Sequence, residues 1–206
     1  MFSLVAITAA LLAPTHVSAT VDNPWFPLKP GTVLRYSGTD KGIRTTDVFT
    51  VTNKTRRVRG GLARIVHDRV YKHGRVVEDT LDWYAQDPSG SVWYFGEATK
   101  ELDAHGKVTS REGSWADGRD GAQAGVFMPA NPRVGQSFRQ EYYKGHAEDH
   151  FKIVSMKNGV MTTHEWSPLE PKVLDKKVYE RGTGTTAEAS IKGGREYLHL
   201  VNVKRA

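Results

Sequence analysis

Three turn signals between His73 and Gly106 restrict what this chain can fold into more than any other feature. His73-Gly74 closes residues 62–72 against residues 75–86, and Asp87-Pro88-Ser89-Gly90 and Asp103-Ala104-His105-Gly106 follow. The last two have the form of type I turns with glycine in the left-handed position that comes next. Hairpins this closely spaced make an antiparallel meander, and because side chains alternate, each turn fixes which residues share a face. Counting back from the turns, Val70 is expected opposite Val77, Val66 opposite Leu81, Ala85 opposite Trp93, Trp83 opposite Phe95, and Phe95 opposite Trp115. One face then carries Val66, Val70, Val77, Leu81, Trp83, Trp93, Phe95 and Trp115.

The same count drops Arg64, Asp68, Asp79, Glu97 and Arg111 onto that aromatic face, with Asp68 directly opposite Asp79. Two unit charges about 5 Å apart repel by roughly 3 kcal/mol at an effective dielectric near 20. A shared proton, a nearby arginine or a bound cation has to relieve this. Two readings stand: an ion cluster satisfied by Arg64 or Arg111, or the polar floor of a ligand pocket walled by Trp83, Trp93, Phe95 and Trp115.

The first nineteen of the 206 residues contain no Asp, Glu, Lys or Arg and end in Val17-Ser18-Ala19, a small-x-small pattern. This predicts a secretory leader over residues 1–19 and a single domain over residues 20–206. No segment reaches the length of a membrane span. Without cysteine the chain has no disulfide, zinc-thiolate site or thiol nucleophile, so a large core has to hold the fold. The net charge is +6 and basic residues are spread along the chain. Nucleic-acid binding wants a basic stripe interleaved with exposed aromatics. Here the aromatics share a face with acids, which argues against it; the net charge can still attract an anionic cell surface.

Residues 22–31, rich in proline, form an extended lead-in with Trp25 and Phe26 placed to plug one end of a core. Alternating segments at 32–37, 44–53, 136–144, 147–155, 161–166, 173–180 and 196–204 read as further strands. Residues 114–132 read as a long loop anchored by Phe127-Met128-Pro129, and residues 182–194 as a connection. His146, Glu148 and His150 at i, i+2, i+4 point the same way on a regular strand and could ligate a divalent metal; a solvated strand face explains them equally well. There is no G-x-S-x-G elbow and no glycine-rich phosphate loop. No cofactor is expected.

The stretch Glu78-Asp79-Thr80-Leu81-Asp82-Trp83-Tyr84-Ala85-Gln86-Asp87, with Val92-Trp93-Tyr94-Phe95-Gly96-Glu97 and Glu165-Trp166-Ser167-Pro168-Leu169-Glu170-Pro171, resembles a family of exported bacterial all-β proteins with no established activity. The resemblance covers most of residues 22–204. It implies a secreted or periplasmic protein and says nothing of chemistry. The expectation is an antiparallel meander closing into a barrel or half-barrel, lipocalin-like or lipoprotein-carrier-like, that binds a small or amphipathic ligand. The rivals are a carboxylate-dependent hydrolase or lyase and an envelope interaction module without a pocket.

Overall fold

The structure, a computed structural model, describes residues 13–205, and among these there are fifteen strands and no helix. The first five are long: β1 (Val33–Asp40), β2 (Ile43–Val58), β3 (Gly61–Lys72), β4 (Arg75–Gln86) and β5 (Val92–Leu102). Five short ones follow: β6 (Val108–Ser110), β7 (Trp115–Ala116), β8 (Gln123–Met128), β9 (Ser137–Arg139) and β10 (Glu141–Tyr142). The last five are β11 (His150–Lys157), β12 (Val160–Trp166), β13 (Leu174–Glu180), β14 (Gly184–Lys192) and β15 (Glu196–Lys204). Residues 114–132, expected to be a loop, contain β7 and β8, and the expected connection at 182–194 contains β14.

The strands run in the order β10-β8-β5-β4-β3-β2-β1-β15-β14-β13-β12-β11-β9, every pair antiparallel, with β6 and β7 added alongside β5. The two ends of this path, β9 and β10, are consecutive pieces of one segment separated only by Gln140. β9 pairs with β11 and β10 pairs with β8, so residues 137–142 bring the ends together and the meander curls into a barrel. Gly125 lets β8 lie against this closing segment: a Cβ there would stand 2.2 Å from the Arg139 carbonyl oxygen.

All three hairpins start in the expected register and then slip, the first two by one residue and the third by two. His73 and Gly74 both have positive φ, 52° and 72°, as a two-residue turn of the mirror-image type demands. Lys72 pairs with Arg75 and Tyr71 with Val76, but the next pair is Val70 with Glu78. Val77 is therefore a bulge, and bulges flip the face of everything beyond them. Asp68 consequently faces Thr80, not Asp79, and Asp79 faces Arg69. In the second hairpin Ala85 pairs with Trp93 as expected, yet past a bulge at Trp83 the pairs are Asp82 with Glu97 and Leu81 with Ala98. Gly96, at φ 129°, takes up that bulge. The third hairpin keeps Leu102 opposite Val108, then shifts, so that Trp115 faces Glu97 rather than Phe95.

The bulges separate the expected single aromatic face into two. Tyr84 and Tyr94, paired and stacked at 4.8 Å between centroids, point into the barrel with Val51, Val66, Trp115, Phe151 and Tyr179. Their chain neighbours Trp83, Trp93 and Phe95 point the other way into a smaller cluster with Ala63, Ala124 and Val126. Trp25 and Phe26 are buried in the main core as the plug. Asn23, 2% exposed, ties the plug down: its Nδ2 donates to the Gly90 and Pro129 carbonyls, and its Oδ1 accepts from the Trp25 amide. Residues 1–12 of the expected leader lie outside the described residues. Its last part is held on the barrel, where the Val17 amide donates to the Gly60 carbonyl and Ser18 exchanges two hydrogen bonds with Gln86.

Candidate functional site

The inward face of each strand changes character along its length. In β2, Val51 and Phe49 are followed by Asp47; in β3, Val66 is followed by Asp68; in β4, Tyr84 is followed by Asp82, Thr80 and Glu78. The alternation that fills the plugged end with apolar side chains therefore lines the rest of the lumen with acids. From the far wall, β12 to β14 contribute Glu165, Lys177, Tyr179 and Glu188.

Lys177 is the cation at the centre. Its Nζ lies 3.1 Å from Glu165 Oε2 and 3.6 Å from Glu188 Oε2. Burial works to lower its pKa, but the two glutamates outweigh that and hold it well above the usual lysine value. Glu165 also accepts hydrogen bonds on Oε1 from the Thr163 hydroxyl at 2.9 Å and the Tyr179 hydroxyl at 3.2 Å. Glu188 is pushed up to about 7 by burial, with Lys177 pulling the other way.

Across the lumen Asp47 and Asp68 meet without a cation. Burial and then the neighbouring Asp68 charge push Asp47 up to about 11. Asp47 Oδ1 and Asp68 Oδ1 have no hydrogen-bond partner. Deeper along β4 and β5, the Tyr94 hydroxyl donates to Asp82 Oδ1 at 2.6 Å, and the Thr99 hydroxyl to Glu97 Oε2 at 3.1 Å. Trp115 Nε1 donates to Glu141 Oε2 at 2.6 Å. Burial is the main reason that Glu97 and Glu141 are each pushed up to about 8.

Two cavities lie in this lumen and meet at Tyr84, Phe127 and Lys177. One, about 140 Å³, has Phe26, Leu34, Tyr36, Phe49 and Leu198 in its walls and Asp47, Asp68 and Glu188 among its polar groups. The other, about 190 Å³, is more polar and is bounded by Tyr94, Glu97, Gln140, Glu141 and Asp149. An open groove of about 350 Å³ runs past Arg56, Trp83, Glu97, Trp115 and Tyr143. Glu97 borders both the groove and the second cavity.

The residues expected to share a pocket are thus dispersed. Asp68 and Glu97 line the lumen cavities, and Trp115 lies between lumen and groove. Trp83 lines the groove under the Arg56 guanidinium, 3.5 Å from the ring centroid. Trp93 and Phe95 belong to the second cluster, with Trp93 Nε1 donating to Asp87 Oδ2 in the adjoining turn. Asp79 is bonded to His67 Nε2 at 2.9 Å and lies 3.8 Å from Lys100 Nζ. Arg64 donates to the backbone carbonyls of Ala19 and Thr52. Arg111 is exposed in the loop before Trp115. The unfavourable aspartate pair expected at Asp68 does occur, but its partner is Asp47 of β2.

The expected metal trio is not assembled. His146 lies in a tight turn, stacked on Tyr143 and bonded to Glu112, while His150 stacks on Trp166 at 5.5 Å. Glu148 Oε1 accepts from the Gly145 amide. The turn breaks the strand whose regularity the reading assumed, and among the described residues no three His, Cys, Asp or Glu are placed to hold a metal.

No protein-family model matches this chain, and no curated protein matches it in sequence. Among solved structures it is similar to a candidate exported protein with a YmcC-like fold from Bacteroides fragilis, at 12% identity and a TM-score of 0.48, over 88% of this chain and 99% of that one. A candidate lipoprotein from Parabacteroides distasonis is similar at 11% identity and a TM-score of 0.44, over 88% and 99%. At that distance neither assigns an activity, ligand or location to this chain.

Proposed function

We propose that this is an exported binding protein that holds a small amphipathic ligand inside the barrel. The observation that carries the reading is the pair of lumen cavities meeting at Tyr84, Phe127 and Lys177, aromatic on one side and polar on the other. Concave sites with apolar walls and a few convergent polar groups are the usual form of small-molecule pockets. Export rests on the uncharged apolar start of the chain. A leader ending at Ala19 would, when removed, take with it three backbone hydrogen bonds to Gly60 and Gln86.

One observation favours a second reading. Glu97 and Glu141, each near 8, are placed where a general acid at neutral pH would need to be. Lys177, clamped as a cation between two carboxylates, is unsuited to act as a base or nucleophile.

The binding reading is tested with small phenylalkyl compounds of positive, neutral and negative charge, by thermal shift and calorimetry. Leu198→Phe, which fills the first cavity, is the control. At least one compound should bind the wild type and not the filled variant. Failure of every compound to bind would overturn the reading.

A further inference from the structure

We propose that the first cavity selects an organic cation, a small aryl- or alkylamine whose ammonium is received between Asp47 and Asp68. This rests on the reading of the lumen as a ligand site and goes on to name the class of ligand.

The argument starts from charge. Lys177 is already matched by Glu165 and Glu188. Asp47 and Asp68, on the same cavity, have no ion pair among the described residues, and one oxygen of each lacks any hydrogen-bond partner. Two carboxyls that face each other with no cation must share a proton or take a positive ligand. The walls then discriminate. Tyr36, Phe49 and Tyr84 present aromatic surface to the same space, and an ammonium between carboxylates and ring faces gains from both. A divalent metal is the poorer fit, because among the described residues no third ligand converges there. An anion would meet an acidic lumen.

Arrival of the ammonium should displace the proton the pair shares. The groups facing Asp47 are Asp68 from β3, Glu78 from β4 and Glu188 from β14, with Tyr36 of β1 and Lys177 of β13 on the same cavity. Of these, Asp47 is the carboxyl that burial and Asp68 keep protonated near neutrality. Binding of an amine should therefore release a proton, and amine affinity should rise with pH.

The experiment is isothermal titration of the full protein with phenethylamine, 3-phenylpropanol and 3-phenylpropionate at pH 7, in two buffers of different ionisation enthalpy. Phenethylamine should bind at least tenfold tighter than the alcohol and release close to one proton. Asp68→Asn and Asp47→Asn, checked for unchanged circular dichroism, should remove the amine preference and leave binding of the alcohol intact. An alcohol or carboxylate that binds as well as the amine, an amine preference surviving both substitutions, or calcium competing with the amine would overturn the cation assignment and leave the pocket standing. Failure of all three compounds would overturn the pocket reading and this inference with it.

Discussion

Replacing Lys177 by methionine removes the cation that holds the far wall of the lumen together. At 3.1 and 3.6 Å, each attraction to a glutamate is worth about 5 kcal/mol at an effective dielectric near 20. Much of this is offset in the intact protein by the desolvation of the three charged groups. The substitution keeps the desolvation of Glu165 and Glu188 and loses the attraction, which for buried pairs typically costs about 3–5 kcal/mol. The stranded carboxylates can escape only by taking up protons. For an ordinary glutamate with pKa about 4.3, this costs about 5 kcal/mol at pH 8 and less than 2 kcal/mol at about pH 5.5. Lys177→Met should therefore destabilise the protein by about 3–5 kcal/mol at pH 8 and by clearly less at pH 5.5. Urea unfolding followed by circular dichroism at the two pH values measures this. Adding Glu165→Gln and Glu188→Gln to the same variant should recover most of the loss. A penalty under about 1 kcal/mol at pH 8, or one that does not change with pH, would refute the reasoning.

The wild type should lose stability as pH rises from about 4.5 toward 8. Glu188 near 7, and Glu97 and Glu141 near 8, keep protons in the folded state that the unfolded chain has already released, which gives stability a negative slope in that window. A melting temperature that is flat or rising between pH 5 and 8 would contradict this. Tyr94→Phe leaves the buried Asp82 without the hydroxyl 2.6 Å away and should cost about 1–3 kcal/mol in equilibrium unfolding. Gly125→Ala pushes a methyl against the backbone of the closing segment and should destabilise by more than about 3 kcal/mol or give insoluble protein; near-native stability would mean that the barrel does not close there.

The fold class was readable because turns are local. His73-Gly74, Asp87 to Gly90 and Asp103 to Gly106 all form turns, and the pairs next to each turn are the expected ones. The expected single aromatic face divides in two for an equally local reason. Bulges at Val77 and around Gly96 each insert one residue, and nothing in a hydrophobic pattern announces an insertion that flips parity. Gly96 was the one available signal, since glycine inside a strand often marks a bulge. Strand β14 does not stand out in the sequence because its inward residues, Glu188 among them, are polar; an alternating pattern with an acid on the inner face looks like a loop when the interior is assumed apolar. Lys177, Glu165 and Asp47 are hidden for the same reason: on the inner face Lys177 stands two residues from Tyr179, Asp47 two from Phe49, and Glu165 two from Thr163, so each reads as part of a solvated stretch.

The central claim is that the lumen beside Lys177 is a ligand site, and a crystal structure of the protein soaked with phenethylamine tests it most directly. The account predicts the ring against Phe49 and Tyr84 and the ammonium between Asp47 and Asp68. Density for the compound only in the outer groove over Trp83, with the lumen filled by its own side chains, would contradict it.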